Sequence, residues 1–526
     1  MKKQNHKFHF LAVGLLFAYA ANSTAQDSLY VRYDDRFKAN GFVALENVDS
    51  ISVQQNQLRV YNPNVPMGYT NRLYTALLPD YAGEFTFTDP GRYLLKPNTY
   101  SGTNYMNNNA ASGYNFAHSV ESEHYAVFWD VRYGDDPTRI QHPDNGNIAN
   151  AYNVLNVGEK CWEKYCELGF LVPGQSTTDK YKIQLYIPYQ SEWRADASGT
   201  DGVSGGKTGI GHFNPWAANA RGGHTIAHEV GHTFQYLVSA DLGQQHGFNY
   251  GYDDYANGGN GWWESCADWQ AYKIFPERQF TDGEYFEGHL ARHYLNLLHE
   301  DWRYDNCFIQ DWWCMKHGAD FIGRLWRESN KPEDPVEAYQ RLCGITQAEF
   351  CDEQMEGYMR MATWDIDGVR DRAKHRIGQH RTFLNRVGTA THTWQSDVEH
   401  CIQNYGYTII NMNRPATGTV VKADFTGLVG AAGYKTIYPE RAGWRYAFVA
   451  LSSDGTRTYG DVQKTQTGTA TLTIPANCTN LFFVVMGAPT QHWRHPWDFG
   501  GSTVYPQNGE QWPFQVTFEN TNLLGK

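Results

Sequence analysis

A chain of 526 residues is too long for one hydrophobic core, so two or three domains are expected. A formal charge of −12 without a basic stretch excludes nucleic acid as a partner, because phosphate binding needs a cationic face. Aromatic content of 15%, with 35 Tyr, 27 Phe and 17 Trp beside 50 Gly, argues against a helical bundle and for broad aromatic surfaces joined by tight turns.

At the N-terminus, Lys2, Lys3 and Lys7 precede an apolar core from Leu11 to Ala20, and Ser23-Thr-Ala25 offers a small-x-small cleavage site before Gln26. This pattern predicts a cleaved signal peptide over 1–25 and a secreted or periplasmic product. No later run approaches the roughly 18 apolar residues of a membrane span. Nine Cys in an exported chain permit disulfides, with at least one thiol left over; Cys307 with Cys314, Cys343 with Cys351, and Cys401 with Cys478 are candidate pairs.

Residues 26–114 alternate apolar and polar over short runs such as Gly41-Phe-Val-Ala-Leu45 and Gln57-Leu-Arg-Val-Tyr61, which predicts a β-rich N-terminal domain. A second pattern fills 115–393. His124 to Asp130 reads as a buried strand, Asn147 to Gly169 as a helix with one apolar face, and Tyr181 to Ile187 as a second strand. A Gly-rich stretch and a short run from Thr208 to Phe213 then lead into a helix carrying His224-Thr-Ile-Ala-His-Glu-Val-Gly-His232. After Glu277 the chain is mostly helical to about Arg386. Residues 394–526 return to short strands at sandwich-like intervals, among them Tyr405 to Asn411, Arg445 to Leu451 and Asn480 to Val485.

His228 and His232 are four residues apart, hence about 40° apart in azimuth and one turn of about 5.4 Å apart in height on a helix. They can therefore offer two imidazole nitrogens to one ion. Glu229 lies beside the same point and can take a proton from a water held there. A His six residues beyond His232 would supply a third ligand, but that position is Val238. Trp262-Trp-Glu-Ser-Cys-Ala-Asp268 supplies another: Glu264 can complete the shell of a Zn²⁺ ion, and Asp268, on the same helical face, can accept the free ring N–H of a ligand, in the first instance His228. The small side chains of Ser265, Ala267 and Ala271 let the two helices approach closely. Gly231 costs helix stability of about 1 kcal/mol against Ala, which implies a crowding neighbour such as the strand at Ile210 to Phe213 or the substrate. His224 shares the face of the two ligands and suits a supporting or capping role better than ligation. Arg292, His293, Tyr294, His299 and Tyr304 include donors for a developing oxyanion, with His293 and Tyr294 preferred. The Tyr-rich stretch Asn249 to Tyr255 reads as a wall of the cleft, with Asp253 and Asp254 as alternative Ca²⁺ ligands or solvated carboxylates.

These residues, with Lys331-Pro-Glu-Asp-Pro335, Gly443-Trp-Arg-Tyr-Ala-Phe448, Val485-Met-Gly-Ala-Pro489 and Trp512-Pro-Phe-Gln515, resemble the gluzincin-type family of secreted bacterial virulence and avirulence proteins, related to the thermolysin-like metallopeptidases. The likeness runs from about Val120 to Asn522. It implies a zincin-like catalytic domain with a mixed sheet and a helical lower half; with the strand patterns on either side, the expected fold is α+β, that domain being flanked by an N-terminal β-rich domain, which lies outside the likeness, and a C-terminal β-sandwich. It further implies zinc on His228, His232 and Glu264, Glu229 as general base, and a zinc-dependent peptidase acting on extracellular protein or glycoprotein. A zincin scaffold that binds glycan or a host protein, and a zinc hydrolase of a non-peptide bond, are the alternatives.

Overall fold

The computed structural model describes residues 113–114, 118–179, 181–198, 208–249, 259–281, 283–390, 392–494 and 509–526, with the backbone of six short strands between residues 28 and 86. The predicted leader at 1–25, the stretch 98–112 and the acidic pair Asp253 and Asp254 lie outside the described residues. The architecture is α+β.

The first six strands are β1 (Ser28–Val31), β2 (Gly41–Ala44), β3 (Ser50–Gln54), β4 (Gln57–Tyr61), β5 (Leu73–Leu77) and β6 (Phe85–Thr86). They form two antiparallel three-stranded sheets, ordered β2-β1-β6 and β3-β4-β5.

The middle of the chain builds a mixed sheet. Strands β7 (Ser119–Glu121) and β8 (Tyr125–Trp129) are followed by the small pair β9 (Ile140–Gln141) and β10 (Ile148–Ala149), and then by helix α1 (Ala151–Glu167). Next come β11 (Ile183–Ile187), β12 (Ala195–Ser198) and β13 (Ile210–Phe213). The sheet order is β12-β13-β11-β8-β7, parallel at β13-β11-β8 and antiparallel at both edges. Strands β8 and β11 are buried along their whole length, as near-continuous apolar runs in a parallel sheet should be.

Helix α2 (Pro215–Asn219) ends in three left-handed residues, Arg221 (φ 51°), Gly222 (φ 63°) and Gly223 (φ 101°), which turn the chain into α3 (His224–Leu242). The two glycines adopt this conformation without a Cβ penalty. Helix α3 is buried from His224 to Gln235. It lies between the edge of the mixed sheet, α1 and α4 (Gly259–Ile274). A Cβ on Gly231 would stand 3.1 Å from Gln270 Oε1 and 3.4 Å from the Ala267 Cα. The crowding that requires this glycine therefore comes from α4, not from β13 as the sequence suggested. The strand presses on α3 elsewhere: a Cβ on Gly209 would sit 2.4 Å from the Thr233 Cβ.

Helices α5 (Gly283–Arg292), α6 (Phe308–His317), α7 (Phe321–Glu328), α8 (Pro335–Cys343), α9 (Gln347–Met361) and α10 (Arg370–Ala373) follow, and aromatic packing joins them to α4. The sandwich starts before Trp394. Strands β14 (Leu384–Arg386) and β15 (Thr393–Ser396) already belong to it, followed by β16 (Tyr407–Met412), β17 (Val420–Gly427), β18 (Trp444–Ser452), β19 (Arg457–Tyr459), β20 (Thr467–Thr473), β21 (Cys478–Gly487) and β22 (Phe514–Glu519). One antiparallel sheet runs β14-β15-β22-β17-β20 and the other β16-β21-β18-β19.

The two sheets differ in a way their sequences record. Strand β17 alternates exposed and buried residues, with solvent on its outer face. Strands β18 and β21 are buried on both faces: Phe448, Phe483 and Val485 fill the sandwich, while Ala447, Val449, Phe482 and Val484 join the core of the helical region. The Tyr358 ring of α9 stacks on Tyr407 of β16 at 3.9 Å, and Asp365 is held by Arg360, Arg370 and the Tyr459 hydroxyl.

All nine cysteines carry free thiols, which corrects the three candidate pairs. Cys307 and Cys314 stand seven residues apart along the axis of α6, a rise of about 10 Å against the roughly 7 Å limit for a disulfide. The Cys343 sulfur lies against the His317 ring, and the Cys351 thiol donates to the Pro489 carbonyl. The Cys401 and Cys478 thiols turn to the carbonyls of Ile402 and Asn480. No described helix is long and apolar enough to cross a membrane.

Candidate metal centre

Helices α3 and α4 pack closely because Gly231 and Ala267 leave room at the crossing. That crossing brings His228, His232 and Glu264 together. His228 Nε2 lies 3.0 Å and His232 Nε2 3.2 Å from Glu264 Oε2, and the two Nε2 atoms are 3.1 Å apart. Among the described residues this is the one group of three or more His, Cys, Asp or Glu side chains whose donor atoms converge in this manner.

The proton inventory of the three atoms decides what they want between them. His228 Nδ1 donates to Asp268 Oδ1 at 2.8 Å. His232 Nδ1 approaches Gln235 Oε1 at 2.8 Å, and the Gln235 amide nitrogen donates to the Trp263 carbonyl and to Gln270 Oε1. That amide orientation leaves Gln235 Oε1 only an acceptor, so His232 Nδ1 carries the ring proton. Both Nε2 atoms face the same carboxylate oxygen and each other, so positive charge, as a proton or a metal ion, is required among the three atoms at 3.0–3.2 Å. The spacing suits an ion: in a tetrahedron with bonds of about 2.0–2.1 Å, ligand atoms stand roughly 3.3 Å apart. The donor set, two imidazoles and one carboxylate, could hold a metal ion, and it is a set that Zn²⁺ accepts.

The electrostatics agree. Burial disfavours the charged imidazolium of His228, yet the Asp268 charge and hydrogen bond outweigh it and raise the proton affinity well above the usual range. Burial likewise opposes ionisation of Glu264, and the two imidazoles overcome it and hold the carboxyl well below its ordinary range. The pocket thus attracts positive charge. Burial pushes the Glu229 carboxyl up to about 7; the imidazoles pull it down, and the charges of Glu264 and of Asp196 on β12 push it further up. Glu229 is buried, and among the described residues its carboxylate makes no hydrogen bond.

Gln235, which accompanies the His228–His232 motif in the family resemblance, supports His232. Its place three residues beyond His232, on the same helical face, is the signal for that role. If the centre holds Zn²⁺, changing Asp268 to Asn or Gln235 to Leu is expected to weaken its affinity about 10- to 100-fold. Competition against a chromogenic chelator measures this, and an unchanged affinity in both variants would show that neither orients a ligand.

His293 and Tyr294 do not reach the centre. They follow the end of α5, and their carbonyls accept from the backbone N–H groups of Tyr407 and Gln403 in the sandwich. The His293 ring packs on His380, Phe383 and Tyr407, and Tyr294 on Phe383 and His400. Tyr304 is the tyrosine beside the site, with its ring 6.1 Å from that of His228 and the Arg303 guanidinium 4.8 Å from its own centroid. Burial and then the Glu264 charge raise the Tyr304 hydroxyl well above its normal range, so it stays protonated and can donate. His224 lies one turn before His228, buried against Tyr272 and outside the converging group, and among the described residues neither ring nitrogen has a hydrogen-bond partner.

The fold and the site define an α+β protein that combines a mixed sheet and a double-faced sandwich with a buried His-His-Glu centre of metal-ligand geometry. Residues 88–525 match a family profile described as "Family of unknown function (DUF6055)", and the chain belongs to that family. No curated protein matches the chain significantly. Among solved structures, the chain is similar to the Yersinia pseudotuberculosis-derived mitogen at 6% identity over 26% of this chain and 86% of that one, with a TM-score of 0.16. It is also similar to a family GH115 4-O-methyl-α-glucuronidase with specificity for decorated arabinogalactans, at 10% identity over 47% of this chain and 33% of that one, with a TM-score of 0.13. At these scores neither likeness extends to the whole fold.

Proposed function

We propose that the protein is a zinc-dependent peptidase of gluzincin type, exported from the cell and acting on extracellular protein or glycoprotein. The observation that carries the proposal is the convergence of one ligand atom each from His228, His232 and Glu264, with Glu229 next to His228 on the same helix. A zinc ion held by these three residues would lower the pKa of a water and polarise a substrate carbonyl.

The remaining roles belong to the chain. Asp268 and Gln235 fix the tautomers and orientations of the two imidazoles. Glu229, with its proton affinity already near neutrality, accepts a proton from the attacking water and delivers it to the departing amine. The Tyr304 hydroxyl donates to the oxygen on which charge develops. Strand β12 pairs with β13 on one side, and among the described residues no strand covers the other, so an extended substrate can add there.

The test is the zinc content of the purified chain and of Glu264→Ala, together with casein digestion with and without chelator. One zinc per chain, lost in Glu264→Ala, with chelator-sensitive cleavage is expected; a chain that takes up no zinc would overturn the proposal. Tyr304→Phe is expected to lower kcat by about 10²-fold with little change in KM. Steady-state kinetics on a fluorogenic peptide measures this, and an unaltered kcat would remove Tyr304 from the mechanism.

A further inference from the structure

Two tryptophans stand in solvent beside the candidate centre. Trp193 is 46% and Trp216 44% exposed, and their rings meet edge to face, with centroids 5.7 Å apart at 87°. The helix of Trp216 packs on the strand of the exposed Ile148. The corner is held rigidly. Asn214, wholly buried, donates its amide to the carbonyls of Gln190 and Glu192 before Trp193, and its side-chain oxygen caps α2 by accepting from the Ala217 N–H. One side chain thus ties together the two backbone segments that carry the rings.

The corner is continuous with the cleft. Trp193 precedes Asp196 by three residues, a separation of at most about 11 Å. Asp196 accepts from His212 Nδ1 at 2.9 Å, and its charge acts on Glu229. A substrate lying along β12 therefore meets the two indoles a few residues from the bond to be cut.

We infer that Trp193 and Trp216 form a subsite for a sugar ring carried by the protein substrate. The inference rests on the hydrolase reading for its position and on the corner's own chemistry for its ligand. An apolar peptide side chain gains most from a closed pocket, and this corner is open. A pyranose has an apolar C–H face for an indole and a rim of hydroxyls that stays hydrated or meets polar groups. Such groups stand beside Trp193: the exposed carboxylate of Glu192, and Arg194 and Asp196, paired at 2.8 Å and both partly exposed.

The experiment has two arms. In the first, bovine fetuin and its enzymatically deglycosylated form are offered to the intact protein, to Trp193→Ala/Trp216→Ala and to Trp193→Phe/Trp216→Phe. The glycosylated form is expected to be cleaved at least about tenfold faster, a preference lost in the Ala pair and partly kept in the Phe pair. Cleavage of the deglycosylated form and zinc content should stay unchanged. In the second arm, the methyl glycosides of galactose, glucose, mannose and the two N-acetylhexosamines are titrated against intrinsic tryptophan fluorescence, which requires no turnover. Quenching in the intact protein and none in the Ala pair upholds the subsite even if neither form of fetuin is cleaved, in which case the peptidase reading alone fails. Equal cleavage of the two forms by the intact protein, or a preference that survives in the Ala pair, overturns the subsite and leaves the peptidase reading standing.

Discussion

Glu229→Gln is expected to retain a full complement of zinc and to lose at least about 100-fold in kcat on casein or any peptide substrate. The substitution keeps the shape of the side chain and the neighbours of His228 and His232 but removes the one basic group at the centre that is not spoken for. Glu264 and Asp268 are committed to the imidazoles, at 3.0 and 2.8 Å from His228. Gln235 is neutral and bonded on both ends. The amide of Gln cannot take a proton from water, and no other carboxylate at the centre can replace it. Elemental analysis and kinetics on the same preparation check both halves of the expectation. Undiminished turnover in a zinc-loaded variant would exclude Glu229 as the base, and loss of zinc would show that it helps to hold the ion.

Acid is expected to destabilise the fold far from the metal centre. His289, His293 and His380 are buried together under the sandwich, with ring centroids 6.0 Å apart for His289 and His380 and 5.5 Å for His293 and His380. Burial pulls His289 down to about 3 and His293 to about 4, and lowers His380 well below the usual value. The groups around them offer no compensating charge: His289 contacts the Asp305 carbonyl and the Tyr407 hydroxyl, the Asp305 carboxylate is paired with Arg292, and the rings of Trp364, Phe383 and Tyr407 supply the rest. Below the unfolded-state value of about 6.5, the unfolded chain binds protons that the folded chain refuses, so stability falls as pH falls. By about pH 5, His289 and His293 should each have removed about 2 kcal/mol relative to about pH 7.5. Urea unfolding across that range measures the slope. His293→Phe should flatten it, and a variant with the parental slope would show that His293 does not titrate on unfolding.

The residues of the candidate metal centre were legible because they obey helical spacing. His228 and His232 are four apart, Glu264 and Asp268 are four apart, and small residues at Ala267 and Ala271 announce a close helix crossing. Gln235 was less visible, since a neutral amide carries no charge pattern. Tyr304 was visible but outranked by His293 and Tyr294, and only the tertiary path shows that their carbonyls accept from Tyr407 and Gln403 in the sandwich. The main strands of the sandwich were legible from alternation or continuous apolar runs, whereas β14, β15 and β19, of three or four residues each, are too short to carry a period. A run such as Asn480 to Val485 predicts a strand but does not say that its second face is claimed by another part of the molecule.

That second face has a bearing on how the protein can be dissected. The strands from Tyr407 to Gly487 present Tyr407, Ile409, Phe482 and Val484 to the helices behind the metal centre, not to water. Cutting the chain near Leu384 would bare apolar surface on both products, so neither half should be soluble by itself. The strands and the helices share one core, so they should unfold together as one cooperative unit.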